Sequence, residues 1–443
     1  MLEKMVNSMV NNLSDEMMVN ILTKDYPENF FVMATAAEKL SVKAIVEACI
    51  RGENGKVLQR TYGSPNVQSQ WNRLFLNGRQ LFNLPVEKLE DISTEVTIGK
   101  SCIKPLVLSM PVMITGMSYG GSLSLNAKVA LAKGASMAGT STNTGESSIC
   151  KEEREAAKLL IGQYNRGGWL RSKEDLGKLD AIEIQLGQGA WGGAVPTSIA
   201  SNEIGEHLRN TWHLNPGEDA KKGSRMEGVD SLQDLIDLVN NLKGEYGVPV
   251  GIKIAATHFI EKELDVITST EADYIVIDGA EGGTSSAPPT LEDDMGLPTL
   301  FALARTSSYL EAKGVKDKYD LIITGGLKTP GEFLKALALG AKAVYIGSIA
   351  LIATIQSQIV KTLTYESTPQ LVIYGGKLTD ELDVDRGAQT LSNFLNSCKE
   401  EMKLALSAMA KTNVDQLARE DLVCVDKELS SVLKVGYAGD TCQ

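Results

Sequence analysis

The sequence predicts an α/β fold, a (β/α)8 TIM barrel with helical additions at both ends. Three observations predict it. From Pro111 onward, short β-branched runs alternate with helix patterns, which is the signature of a parallel α/β fold. Eight such runs occur, and eight is the barrel number. Two of them, LIITGGL (Leu321–Leu327) and AVYIGS (Ala343–Ser348), run into glycine and are joined by the helix-length stretch KTPGEFLKALALGAK. That makes a βαβ unit, with one parallel strand carried back beside the other.

Taken in order, residues 1 to about 60 read as helices, because apolar positions recur at three- and four-residue spacing through MVNSMVNNLSDEMMVNIL and AAEKLSVKAIVEACI. A break at Tyr26-Pro27 separates them. The pattern weakens into loops from about 61 to 95, with Gly63-Ser64-Pro65 as punctuation. The expected strands are PVMITG (111–116), SMAGTST (136–142), LLIGQY (159–164), AIEIQL (181–186), VGIKIA (250–255), YIVIDG (274–279), LIITG (321–325) and AVYIG (343–347). Gly and Ser dilute the second, and a helix competes for the third. A doubly wound open sheet is the alternative, but it gives no reason for polar residues at every strand end. Beyond about 360, two helical stretches, QTLSNFLNSCKEEMKLALSAMA and REDLVCVDKELSSVL, are expected to brace the barrel. The layout is a helical region over 1–95, a barrel over 96–360 and a helical extension over 361–443.

At 443 residues, the chain accommodates a barrel near the usual size of about 250 residues plus terminal additions. Net charge is −12, and no Lys/Arg cluster is interleaved with aromatics, so nucleic acid is not an expected partner. The cysteines at 49, 102, 150, 398, 424 and 442 form no close ligand cluster. That spacing suits a reduced, cytoplasmic protein. The N-terminus lacks a secretion-signal pattern, and no apolar run approaches the roughly 18 residues a membrane span needs.

In a barrel enzyme the active site lies at the C-terminal strand ends. Met117, Ser118 and Tyr119 follow the first strand; Asn143, Thr144, Gly145 and Glu146 follow the second; Gln163 and Gln188 belong to the third and fourth. Lys253 lies in the fifth, and Asp278, Glu281, Gly282, Gly283 and Thr284 follow the sixth. Gly325, Gly326 and Gly347, past the last two strands, let backbone N–H groups converge on a phosphate, although tight turns alone also explain them. Lys253 sits in the apolar run VGIKIAA, where an unpaired ammonium is costly. Either it pairs with a strand-end carboxylate such as Asp278, or it stabilises negative charge on an electron-rich ring. Glu146 either caps the next helix or acts as acid, base or ammonium-binding group. His207, His213 and His258 show no metal-ligand spacing.

Several stretches together resemble the FMN-binding domain of glutamate synthase and its stand-alone relatives. They are PVMITGMSYGGSLSLNAKVALAKGA, TSTNTGES, IEIQLGQGA, VGIKIA, DGAEGGTSSAP and GGLKTPGEFLKALALGAKAVYIGSIALIA, and the resemblance runs from about Phe75 to about Asp426. It implies a (β/α)8 barrel binding FMN, with hydride passing from flavin N5 to an imino acid. By motif, Gly325, Gly326, Gly347 and Ser348 would hold the FMN phosphate. Met117, Ser118, Asn143, Gln163 and Lys253 would surround the flavin ring, with Gly282 and Gly283 approaching it. Lys253 and Glu146 would be the catalytic residues, Glu146 matching the family's NTGE acid, and Gln188 and Trp191 would face the substrate.

The departures carry expectations of their own. After GSIALIA the family usually has a cysteine cluster, but TIQSQIVKTLTYESTPQLVIYGGK contains none. No iron–sulfur cluster is therefore expected, and electrons would come from a soluble donor. Where the family writes QGAKPG, this chain has QGAWGGAVP: Trp191 replaces a lysine and Ala194 a Gln or His. Those family residues help hold a dicarboxylate, which puts 2-oxoglutarate in question. No amidotransferase domain is expected ahead of the resemblance. In length and in the missing cysteine cluster the chain also resembles the flavin-domain subunit of N-methylglutamate synthase, so partner subunits or a homo-oligomer stay open. A flavin-binding subunit without turnover is the rival from outside enzymology.

Overall fold

Apolar, β-branched strand segments that are buried on both faces need helices outside and side chains inside. The structure, a computed structural model, describes residues 2–23, 37–39, 41–66, 68–362 and 366–441. Among these, eight parallel strands form one sheet: β1 (Val112–Ile114), β2 (Thr142–Asn143), β3 (Leu160–Tyr164), β4 (Ala181–Gln185), β5 (Val250–Ala255), β6 (Tyr274–Asp278), β7 (Asp320–Thr324) and β8 (Ala343–Ile346). Their spatial order is β1-β8-β7-β6-β5-β4-β3-β2, so each strand lies beside its sequence neighbour. The seam between β1 and β2 is bridged by Ile114 N–H donating to Ser141 O at 3.0 Å and by Thr140 Oγ1 donating to Val112 O at 2.6 Å. The chain is a (β/α)8 barrel.

All eight expected strands are present, with one correction. The run expected as strand over 136–142 begins in helix α3, because α1 (Leu2–Leu22) and α2 (Val42–Asn54) are followed by α3 (Leu125–Ala138), and α3 extends through Ser136. Its alanine-rich run propagates the helix until Gly139, at φ 73°, caps it in the left-handed region. Only Thr142 and Asn143 pair with β3.

The chain divides into two compact units, Met1–Gln59 and Arg60–Gln443. The first unit contains α1 and α2, and Ser41 Oγ caps α2 by accepting from Ala44 N–H. Tyr26-Pro27 lies outside the described residues. In the second unit, the stretch expected as loops contains a short strand, Leu74–Leu76, paired antiparallel with Leu422–Cys424. The latter corrects the helical reading of REDLVCV. Leu422, Val423 and Cys424 alternate buried, half-buried and buried, as a strand does. Segment 60–62 pairs with the loop after β6: Arg60 and Ala287 exchange N–H···O bonds, and Tyr62 N–H donates to Thr284 O at 2.9 Å.

Helices α4 (Pro330–Ala338) and α5 (Ser348–Ile355) follow β7 and β8, and the 25-residue helix α6 (Val384–Ala408) lies on α3. The contact is close because α3 offers Gly134, where a Cβ would stand 2.9 Å from Ala388 O. No helix among the described residues is long and apolar enough to cross a membrane.

Candidate functional site

Inside the barrel, the polar residues of β4 alternate with apolar ones, so Glu183 and Gln185 share one face while Ile182 and Ile184 share the other. Glu183 is fully buried and accepts from Gln163 Nε2 at 2.7 Å, from Tyr345 OH at 2.9 Å and more distantly from Asn143 Nδ2 at 3.4 Å. Burial beside Glu183 pushes the Tyr345 phenol well above its ordinary value, which keeps it a donor. Three residues expected from the resemblance or from strand ends, Asn143, Gln163 and Lys253, thus meet in one layer. The register places Lys253 opposite Gln185 on β4 and opposite Val276 on β6.

Lys253 Nζ lies 3.0 Å from Asp278 Oδ2, and both side chains are below one-tenth exposed. Burial pulls the ammonium's pKa down, but Asp278 and Glu183 outweigh that, and the net effect is a raised pKa. The salt-bridge reading of Lys253 is what the structure shows. Asp278 Oδ1 and both amide atoms of Gln185 are buried without a hydrogen-bond partner in the protein. Buried polar groups normally have partners, so these atoms have hydrogen-bonding capacity left over.

The loops at the C-terminal strand ends assemble around this layer. Gly116 is required here: a Cβ on it would stand 2.5 Å from Gln163 Nε2 and 3.0 Å from Asn143 Oδ1. Met117 and Ser118 follow directly, half-buried. Gly282 is buried beside Asp278, and Gly283 approaches Ser348 so closely that a Cβ would meet its Oγ at 2.6 Å. Gly325 and Gly326 have φ of 124° and 73°. Gly347 is the N-cap of α5, and no side chain caps that helix. The loop after β6 therefore touches the glycine-rich strand ends after β7 and β8.

Glu146 does not cap a helix. The helix after it, Lys151–Ala156, has Cys150 at its N-cap. Glu146 instead pairs with Arg166 Nη2 at 3.3 Å and Lys222 Nζ at 2.5 Å. Gln188 and Trp191 occupy a tight turn after β4, where Trp191 N–H donates to Gln188 O at 3.2 Å; both are half-buried at the rim. Glu281 is taken up by backbone donors: its carboxylate accepts from Ser69 N–H and Thr299 N–H and anchors the helix Thr299–Ala312.

Sequence reasoning missed Glu183, Gln185, Tyr345, Arg166 and Lys222. The alternation in AIEIQL was a usable signal for the first two, since polar side chains on one face of a barrel strand point inward. No local pattern signals Arg166 or Lys222.

The family model described as "Conserved region in glutamate synthase" matches residues 58–412. An archaeal-type glutamate synthase (NADPH) from Thermotoga neapolitana is 32% identical over 390 residues, covering 83% of this chain and 76% of the relative. A glutamate synthase large subunit-like protein from Rhizobium meliloti is 29% identical over 404 residues, covering 86% of this chain and 90% of the relative. Among solved structures, a doubly substituted flavocytochrome b2 with sulfite bound aligns with a TM-score of 0.51 at 15% identity, covering 86% of this chain and 84% of that one, a likeness of fold. With a family match over most of its length, the chain belongs to the glutamate synthase family.

Proposed function

We propose that this chain binds FMN and passes hydride between flavin N5 and an imino- or amino-acid-like substrate. One observation supports this reading most: the buried Lys253–Asp278 pair beside a Gln185 amide and an Asp278 oxygen that have no partner in the protein. Those groups suit the polar edge of a planar heterocycle, and the uncapped N-terminus of α5 beside Gly325 and Gly326 suits its phosphate. When bound, the flavin supplies the hydride chemistry.

The chain's own residues divide the work. Gly325, Gly326, Gly347 and Ser348 would hold the phosphate. Lys253 would place a cation at the N1 and O2 edge, its position fixed by Asp278. Glu183 takes the amide hydrogens of Gln163 and Asn143, which orients both groups. Met117, Ser118, Gly282 and Gly283 would close around the ring. Gln188 and Trp191 would face the substrate. Glu146 already accepts from two cations, so we assign it substrate-side charge balance and amine recognition in place of proton delivery.

The stretch 351–397 contains no cysteine, which supports electron delivery by a soluble donor or partner chain and not by an iron–sulfur centre. The extent of the match to the Rhizobium relative, named large subunit-like, favours a second reading as one subunit of a complex. Two measurements test the proposal. The mass of the chromophore released from purified protein should be that of FMN, and a colourless protein that refuses added FMN would sink the reading. Photoreduced protein should be reoxidised by an imino- or oxo-acid plus an amine; if none does so, the non-catalytic subunit reading takes its place.

A further inference from the structure

Three consecutive βα connections bring one carboxylate and two cations together. Glu146 follows β2, Arg166 follows β3, and Lys222 ends an antiparallel hairpin, Thr197–Ile199 with Ala220–Lys222, inserted after β4. Their side chains are 10%, 3% and 11% exposed. Arg166 Nη1 donates to Val195 O and Gly223 O, just outside the two hairpin strands, and its Nη2 reaches Glu146. Its Nε is buried with no partner. Among the described residues, Glu146 is the one carboxylate that pairs with Lys222 Nζ.

Two cations thus share one carboxylate in surroundings that screen charge poorly. The surplus positive charge is expensive unless an anion comes to it. A clamp that only pinned the hairpin would need Arg166 and one acceptor, not Lys222 as well. The cluster lies on the same mouth as the Lys253 layer, since Glu146, Arg166 and Lys222 all come from connections that leave the C-terminal ends of barrel strands. Trp191, on the neighbouring turn, offers no cation for a second acidic group.

We propose that Arg166 and Lys222 receive a single substrate carboxylate, so that the substrate is a monocarboxylic amino, imino or oxo acid, with Glu146 neutralising the other cation. This rests on the oxidoreductase reading above and narrows its substrate class. The carboxylate would take the free Nε edge of Arg166 and a proton of Lys222. Glu146 would meet the substrate nitrogen.

Calorimetry on the flavin-loaded full chain tests this without turnover, while flavin content and photoreduction, measured on the same sample, report separately on the oxidoreductase reading. The probes are pyruvate and its longer straight-chain 2-oxo homologues, pyruvamide as neutral analogue, and 2-oxoglutarate as dicarboxylate. At least one monocarboxylate should bind at least about tenfold more tightly than either pyruvamide or 2-oxoglutarate. Lys222→Gln should weaken that binding by about tenfold or more, Lys222→Arg should restore most of it, and Glu146→Gln should shift preference toward 2-oxoglutarate. The proposal is overturned by equal binding of pyruvamide, by 2-oxoglutarate binding as tightly as the best monocarboxylate, or by the absence of binding by any monocarboxylate. A Lys222→Gln protein with a lowered melting temperature but unchanged carboxylate affinity also overturns it, by showing a purely structural clamp.

Discussion

Lys253 concentrates the physics of the site, because its ammonium is buried against Asp278 and Glu183, and those carboxylates outweigh the burial that would lower its pKa. A lysine whose folded pKa is raised stabilises the fold fully below the unfolded value, about 10.4, and loses that contribution as pH rises through the folded value. Melting temperature should therefore fall in wild type above about pH 10.4, and the Lys253→Met/Asp278→Asn double variant should lack that part of the slope. Identical alkaline slopes in both proteins would refute the linkage. Lys253→Met alone leaves Asp278 buried and unpaired, at a cost of about 3–5 kcal/mol. If the flavin reading holds, it also lowers the flavin reduction potential, so an unchanged potential in a folded, flavin-loaded variant would count against a cation at the ring. Trp191 makes the complementary case for the substrate side. Wild type should show weak or no reoxidation by 2-oxoglutarate with ammonium, and Trp191→Lys should increase it; efficient glutamate formation by wild type would refute this.

At the level of elements, the ends of β7 and β8 would form the proposed phosphate cradle, and Gly325 shows how little room there is. Its φ of 124° is one that residues with a Cβ rarely adopt, and a Cβ would stand 2.3 Å from Thr299 Oγ1. Gly325→Ala should therefore lower stability by about 1–3 kcal/mol and weaken flavin retention, read by denaturant melts and by chromophore content after dialysis. Full retention with unchanged stability would show that the strand end tolerates the change. The strands themselves were legible because runs such as YIVID and VGIKIA are β-branched, apolar and buried on both faces. The second strand was not, since SMAGT reads through a helix end and a left-handed glycine cap before only two residues pair. LVC was also lost inside a longer helical-looking stretch, because its pairing partner, Leu74–Leu76, is distant in sequence. Lys253 was legible as a charge in an apolar run. Its partner Asp278 was named from the strand end, whereas the meeting of Arg166 and Lys222 on Glu146 depends on a hairpin insertion that no local spacing reports.

For the molecule as a whole, closure of eight strands into a barrel turns separate strand ends into one mouth, so residues from Met117 to Ser348 become neighbours across more than half the chain. The same closure decides how electrons can reach that mouth. A resident relay needs several cysteines held near one another. Among the described residues Cys150, Cys398 and Cys424 are buried and Cys49 is exposed, and the stretch after α5 has no cysteine until Cys398. Without such a relay, the proposed oxidoreductase chemistry would draw on a donor that reaches the flavin directly, either a small soluble reductant or a partner chain. Metal and acid-labile sulfide analysis of the purified, flavin-loaded protein is expected to find flavin without stoichiometric iron or sulfide, and dithionite titration should consume only the electrons that the flavin accepts. Iron and sulfide in fixed ratio to the chain, or extra reducing equivalents beyond the flavin, would place a relay inside this molecule and remove the need for an outside donor at the mouth.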